Sequence, residues 1–505
     1  MRNQLALIAG VGAIVTSSSA DAAWRRFETE HFIIYSQSPD KKVDELARGL
    51  EGIDGLMRMA TGLSSDSPPV KVRIYVMADE GEVQAALGES NSGVAGFYTS
   101  NIFGPYAVTV RRLYSARGDF TPDLVLHHEY AHHFMLQYFP AIYPGWYVEG
   151  FAELIGSTRT LPDGRLAYGW PARQRGDSIS ASWVSMKDIL LKPAEKVPFN
   201  VYGQGWAMTH FVTFSKERSP QMRQYLAALT SGKSQADAAT AFGDLDKFNR
   251  EAHLYLSQGS FAYTPVKVQL HEPVVERVTD VGAAEAALIP EIIAFSDYDL
   301  STLRKEEDRE REKRKRAALL GRIETKTARF MNDPAALLLL GQAERVAGNG
   351  KAAEQAADRL LALQPSNVDA LVLKSRLLSA RAETLSGAAR ADVAGEAQHL
   401  AVIANKANKD YPLAYVAFFE SAKASGDPVP EDALNALAAA VEKLPANTGA
   451  RLELVEELAA EQKYALAIQA LLPIASSMHD TPLRTAARDQ LAKLQARLAA
   501  APASL

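Results

Sequence analysis

The stretch that decides how this chain is read is His127-His128-Glu129-Tyr130-Ala131-His132-His133, followed by Trp146-Tyr147-Val148-Glu149-Gly150-Phe151-Ala152-Glu153. Residues at i and i+4 of a helix lie about 40° apart on one face, so His128 and His132 aim their imidazoles at a common point. That point suits Zn²⁺ held by ring nitrogens. Glu129 falls off the ligand stripe but within reach of a water at the metal, the position of a general base. Leu124, Val125 and Leu126 give this helix an apolar setting, and Thr121-Pro122-Asp123 is its start signal. Glu149 and Glu153 repeat the i, i+4 spacing on a second helix. The sixteen residues between His132 and Glu149 accommodate a loop through Pro140 and Pro144-Gly145 and an antiparallel return. Glu149 then becomes the third ligand. Glu153, one turn on, is placed to orient a ligand histidine from outside. His127 and His133 sit about 100° off the stripe on either side and are expected to be bystanders.

Working outward, His31–Tyr35 and Val70–Val76 are β-branched and aromatic runs that predict strands, and Asp40 to Ala60 carries a helical period through Val43, Leu46, Leu50, Ile53 and Met57. Residues 93–100 and 106–112 read as a strand pair around Asn101-Ile-Phe-Gly-Pro105. They are either two ordinary sheet strands or an exposed edge that an extended peptide can join. Trp146 to Gly156 and Tyr202 to Lys216 predict two further helices.

The 505-residue chain has a net charge of −5 and 0 cysteines. The charge gives no nucleic-acid footprint. The missing cysteines exclude disulfides, thiolate metal sites and a lipoprotein anchor. Arg2, the apolar run Leu5–Val15 and Ala20-Asp21-Ala22 form a secretory signal, with cleavage after Ala22. The expectation is a periplasmic or secreted protein with no integral membrane segment once the signal is removed.

Four segments follow: a signal at 1–22, a catalytic domain at 23–265, a linker with a charged connecting helix at 266–330, and helical repeats at 331–500. The run Arg304–Arg316 interleaves acids and bases, as a solvated helix does. Beyond it, Pro334, Pro365, Pro412, Pro445 and Pro482 punctuate an Ala/Leu-rich region. Leu340-Gly341, Gly348, Ala353 and Pro365 resemble the tetratricopeptide repeat, and that resemblance implies a solenoid able to hold a protein partner.

His127–His133 followed by Trp146–Glu153 resembles the gluzincin metallopeptidases. The style is that of the alanyl-aminopeptidase group and, more closely, of the shorter secreted peptidase-MA-like proteins. The resemblance spans residues 24–265. It implies an α+β zincin-like catalytic domain followed by an all-α tetratricopeptide-like solenoid, with His128, His132 and Glu149 as zinc ligands and Glu129 as catalytic base. The ligand spacing is shorter than in the aminopeptidases, and no Gly-x-Met-Glu-Asn segment is present, so endopeptidase activity is implied as readily as aminopeptidase activity. The resemblance also implies a tyrosine on a later helix as oxyanion donor. Tyr202 is the candidate, with Gly203 and Gly205 beside it, and His210 is a weaker one. The function expected is zinc-dependent hydrolysis of peptide bonds. The alternative is a periplasmic binding or assembly protein that acts through its repeats, with a structural or degenerate zinc domain.

Overall fold

The computed structural model describes residues 23–500 except 65–67, 69, 89–93, 95, 114–120, 140–142, 177–182, 193–200, 232, 298–299, 301–302, 304 and 476–481. The export signal expected at 1–22 lies outside the described residues, as do parts of the loops near 93, 140 and 199.

Strands β1 (Arg25–Glu28), β2 (Phe32–Ser36), β3 (Val72–Met77), β4 (Phe97–Asn101), β5 (Gly104–Val110) and β9 (Arg277–Asp280) form one sheet in the order β4-β5-β3-β2-β1-β9. Its centre is parallel: β2 pairs with β3, and β3 with β5. The flanking pairs β1–β2, β1–β9 and β4–β5 are antiparallel. Helix α1 (Asp40–Thr61) makes the crossover between β2 and β3. A smaller sheet joins β6 (Arg159–Thr160), β7 (Leu166–Tyr168) and β8 (Thr264–Val266).

Alternation along the central strands sorts side chains between two faces. Phe32, Ile34 and Ile74 meet Leu50, Ile53 and Met57 of α1 on one face. The same core takes Leu126, Tyr130 and Phe134 of α3 (Pro122–Tyr138) and Ala152 and Ile155 of α4 (Gly145–Gly156). Tyr35, Tyr75 and Val108 point to the other face, against Val83 of α2 (Glu80–Leu87) and Ile289 and Ile293 of α10 (Ala283–Ala294). A helical lobe follows α4: α5 (Met186–Leu191), α6 (Gly203–Phe214), α7 (Arg218–Thr230), α8 (Gln235–Ala239) and α9 (Leu245–Ser257). Trp146, Met208, Phe211, Tyr225 and Phe248 fill its core. Thus α3 belongs to the sheet, α4 is shared, and α6 belongs to the lobe.

The segment expected to be a linker is part of the fold. Strand β9 completes the sheet, and α10 packs on both α2 and the helices beyond. Helix α11 (Glu306–Thr327) is the expected charged helix, laced by Arg309–Glu306, Arg311–Asp308 and Lys313–Glu310 pairs at i, i+3. Antiparallel hairpins then stack one on the next: α12 (Pro334–Val346) with α13 (Gly350–Leu363), α14 (Val368–Glu383) with α15 (Gly387–Ala407), α16 (Pro412–Ala424) with α17 (Glu431–Lys443), and α18 (Thr448–Ala460) with α19 (Tyr464–Ala475), before α20 (Pro482–Ala500). Gly341 is a contact glycine: a Cβ there would lie 2.7 Å from Leu373 Cδ2 and 3.4 Å from Ala356 Cβ. The prolines do not share one repeat position. Pro334, Pro412 and Pro482 open helices, whereas Pro365 and Pro445 lie in connections. Among the described residues, no helix is long and apolar enough to cross a membrane.

Candidate metal centre

Helix α3 begins where Thr121 Oγ1 accepts from Leu124 N (3.3 Å) and Pro122, which has no N–H, needs no acceptor. Leu126, Tyr130 and Phe134 commit one stripe to the sheet core, which turns the adjacent stripe, His128 and His132, toward α4. Tyr130 Oη donates to Asp54 Oδ1 at 2.5 Å and so fixes the helix on α1.

Helix α4 meets α3 and α6 through glycines. A Cβ on Gly156 would lie 3.0 Å from Leu124 O and 3.3 Å from His128 Cβ. A Cβ on Gly150 would lie 2.2 Å from Gly205 O, and one on Gly205 would lie 2.9 Å from Trp146 O. The backbones of α4 and α6 therefore touch, and the contact sets the height at which Glu149 faces the histidines.

His128 Nε2 and His132 Nε2 are 3.1 Å apart, and Glu149 Oε2 lies 3.4 and 3.6 Å from them. Glu149 Oε2 is buried with no hydrogen-bond partner. A tetrahedral ion with bonds of about 2.0–2.1 Å separates its ligand atoms by roughly 3.3 Å, so this triangle fits such an ion. Burial would raise the Glu149 carboxyl, but His128 and His132 hold it well below the usual range. For His128, burial acts downward, and Glu149 with Glu153 outweighs it, raising the imidazole to about 10. This pull on one proton is what a shared cation would relieve.

Glu153 is fully buried, with Oε1 3.3 Å from His128 Nδ1. Arg175, in the 3-10 turn Arg173–Arg175, grips the same carboxylate through Nε (3.0 Å) and Nη2 (2.5 Å). Against the cost of burial, His128 and Arg175 bring Glu153 down to about 2. Arg175 had no sequence signal: it is one arginine in a loop, outside any periodic pattern. Its guanidinium also lies 4.8 Å from the centre of the Tyr202 ring, whose centroid is 6.1 Å from that of His128. Tyr202 stands just before α6 and is 39% exposed; burial of the rest and Glu149 raise its phenol.

Glu129 Oε2 accepts from Tyr98 N at 3.0 Å. Tyr98 is in β4, the edge of the sheet, and is paired with Ala107. Its N–H is thus turned outward, away from β5 and onto Glu129.

The flanking histidines stay out of the ligand group. His133 Nδ1 meets Tyr98 Oη at 2.8 Å, and burial, followed by Arg58, keeps it neutral with a value near 3. His127 faces α1, where a Cβ on Gly49 would lie 3.7 Å from its Nε2, and burial lowers it to about 4. His210 is completely buried, with Nε2 on Gly169 O (2.9 Å) and Nδ1 on Tyr255 Oη (2.8 Å). Both ring nitrogens are engaged, so it is no donor to the site.

His31, Glu51 and Asp54 form a second close group. Its carboxylates are already satisfied: Glu51 Oε1 accepts from Thr29 Oγ1 (2.5 Å) and His31 N (3.0 Å), and Asp54 Oδ2 from Arg58 Nε (2.6 Å). It is a polar joint, unlike the unpartnered Glu149 oxygen.

No protein-family model matches this chain, and no curated protein matches it. Among solved structures, a thermophilic tetratricopeptide-repeat protein of Thermus thermophilus is similar to it at 18% identity, over 36% of this chain and 91% of that one, with a TM-score of 0.31. That score is too low to equate the two folds. The expected membership of the gluzincin and peptidase-MA-like metallopeptidases is therefore corrected. The comparisons bring up no peptidase family and no peptidase relative, and the short motif similarity does not extend to a family match.

Proposed function

We propose that this chain is a zinc-dependent hydrolase of peptide bonds. One observation carries the reading: three ligand atoms, His128 Nε2, His132 Nε2 and Glu149 Oε2, converge within 3.6 Å of one another beside a second carboxylate, Glu129, that is held from outside the ligand set. His128, His132 and Glu149 would hold the ion, which when bound supplies Lewis-acid polarisation of a carbonyl and lowers the pKa of water.

The chain's own groups divide the remaining work. The Tyr98 N–H occupies Glu129 Oε2 and leaves Oε1 free to take a proton from the attacking water and pass it to the departing amine. The raised phenol of Tyr202 keeps its proton at neutral pH and donates to the oxygen on which negative charge develops. Arg175 and Glu153 fix the His128 ring from behind. By antiparallel alternation, the outward groups of β4 after Tyr98 belong to Ser100, and an extended peptide lying there pairs with this rim. The export reading of residues 1–22 places this activity outside the cytoplasm, and the stacked hairpins offer a surface for a protein partner.

The test is digestion of an unbiased peptide library, read by mass spectrometry. Cleavage should vanish with a chelator and return with added zinc. Protein carrying a full complement of zinc that cuts no peptide would sink the proposal.

A further inference from the structure

Edge strand β4 is fastened to α3 along one stripe of the helix. Val125, Glu129 and His133 follow one another at i, i+4 and i+8, so they share the face beside His128 and His132. Each of the three meets β4 or the chain entering it. A Cβ on Gly96 would lie 2.7 Å from Val125 Cγ1 and 2.7 Å from Val108 O, so the chain reaches β4 pressed between α3 and β5. Tyr98 makes the other two contacts. Its N–H donates to Glu129 Oε2 at 3.0 Å, and its Oη meets His133 Nδ1 at 2.8 Å.

The two Tyr98 contacts work as a pair. The last torsion of a glutamate side chain is broad, so a place on the helix does not by itself fix the plane of the Glu129 carboxylate. The Tyr98 N–H supplies that constraint, but it lies on the open side of an edge strand. Among the described residues no neighbouring strand sets its distance from α3. The Tyr98 ring does so instead. It stands edge-on to the His133 ring, with centroids 5.2 Å apart and planes at 65°. His133 is itself held in place: it is 2% exposed and stacks on Tyr130 with centroids 5.6 Å apart and planes at 22°. Tyr130 in turn is tied to Asp54 of α1 through its hydroxyl. Burial raises the Tyr98 phenol and lowers the His133 imidazole, so the bond between them joins two neutral groups.

Resting on the peptidase reading above, we propose that His133 is a positioning residue for the general base. It holds the Tyr98 ring by its hydroxyl, the ring holds the strand against α3, and the strand's N–H fixes Glu129 Oε2, leaving Oε1 to take the proton. His133 is thus a bystander to the ligand group but not to Glu129. The same chain of contacts gives β4 a second task. The strand that offers its outer edge to a peptide also orients the carboxylate that acts on that peptide.

The test uses the full chain loaded with zinc. Hydrogen–deuterium exchange at single amides is read by mass spectrometry with electron-transfer fragmentation, alongside zinc competition and steady-state cleavage of a peptide. In the wild type the amide of Tyr98 should be at least about fivefold better protected than that of Ser100, the next N–H on the same side, a contrast that needs no variant to fold. Tyr98→Phe removes the hydroxyl and keeps the N–H. It should speed exchange at residue 98 about fivefold and lower kcat about tenfold, with KM and zinc affinity within about twofold of wild type. His133→Leu should do the same, and His133→Asn, whose amide places a polar atom near the position of Nδ1, should recover most of both losses. The double variant Tyr98→Phe/His133→Leu should be no worse than either single one. Equal protection of Tyr98 and Ser100, a fall in kcat without faster exchange at residue 98, additive losses in the double variant, or no recovery in His133→Asn would overturn the assignment. Faster exchange at residue 98 in Tyr98→Phe of a protein that cuts no peptide sinks the peptidase reading alone, whereas cleavage with a kcat indifferent to the hydroxyl sinks the positioning role alone.

Discussion

Substituting Gly150 by alanine probes the contact on which the candidate metal centre stands. The new Cβ would lie 2.2 Å from Gly205 O, 2.3 Å from Thr209 Oγ1 and 2.5 Å from Gly205 C, where real Cβ atoms essentially never come within 3.0 Å. Two of these atoms are backbone and cannot rotate away, so α4 and α6 must part by about 0.8 Å, the gap between 2.2 and 3.0 Å. Metal–ligand distances tolerate only about 0.2 Å. Glu149 is the residue before Gly150, so most of this displacement reaches its carboxylate. Overpacking of this kind costs about 3 kcal/mol, near the top of the usual range because the obstacle is main chain. The assays are a thermal melt and zinc competition against a chromogenic chelator. Gly150→Ala should melt several degrees lower and lose at least about tenfold in zinc affinity. Gly395→Ala is the control. It lies on an exposed face of α15 with nothing within 4 Å of its Cβ, and it should gain up to about 1 kcal/mol from helix propensity. A Gly150→Ala protein with unchanged melting and unchanged zinc affinity would refute the close α4–α6 contact and the placement of Glu149 that depends on it.

Arg175→Gln removes the clamp on Glu153 and should weaken zinc binding by about 10–100-fold, measured by the same competition; unchanged affinity would leave Arg175 without a role at the metal. Tyr202→Phe should lower kcat by about 10²–10³ with zinc content and KM intact, and steady-state kinetics on a cleaved peptide decides whether the phenol acts. The His31–Glu51 pair makes stability pH-dependent in two windows. Against burial, Glu51 and Asp54 raise His31 above 6.5, so its contribution is complete below that value and is lost as pH rises through the folded pKa. Glu51, lowered from 4.5 by His31 despite burial, contributes above that value and loses its share as pH falls through the folded pKa. Urea unfolding across pH should show the wild-type advantage over His31→Gln shrinking on the alkaline side, and a constant difference would contradict the pairing.

Much of the site was legible because helical spacing reports a shared face directly. His128 and His132, then Glu149 and Glu153, need only the 3.6-residue period to be placed. The rest was written in groups that carry no pattern. Tyr98 acts on Glu129 through its backbone N–H, which every residue but proline has. Arg175 reaches Glu153 from a loop, where no period restricts its direction. Strand β9 is exposed along its whole length and shows no alternation of burial, so Arg277–Asp280 looked like connecting chain. His210 fell on a plausible helix but faces inward, where a carbonyl and a phenol consume both nitrogens. The repeats were visible as a composition, with Gly341 marking a real helix contact, and the prolines that punctuate it occupy two kinds of position. The motif similarity to known metallopeptidases rests on two short helical segments, and no family model and no curated protein matches the chain that carries them.

The most direct test of the central claim is to measure zinc content and peptide hydrolysis on the same samples of wild-type protein and Glu129→Gln. The account predicts one zinc per chain in both, hydrolysis by the wild type, and at least about a hundredfold loss in the variant. Full hydrolysis by zinc-loaded Glu129→Gln, or hydrolysis by wild-type protein without metal, would contradict it.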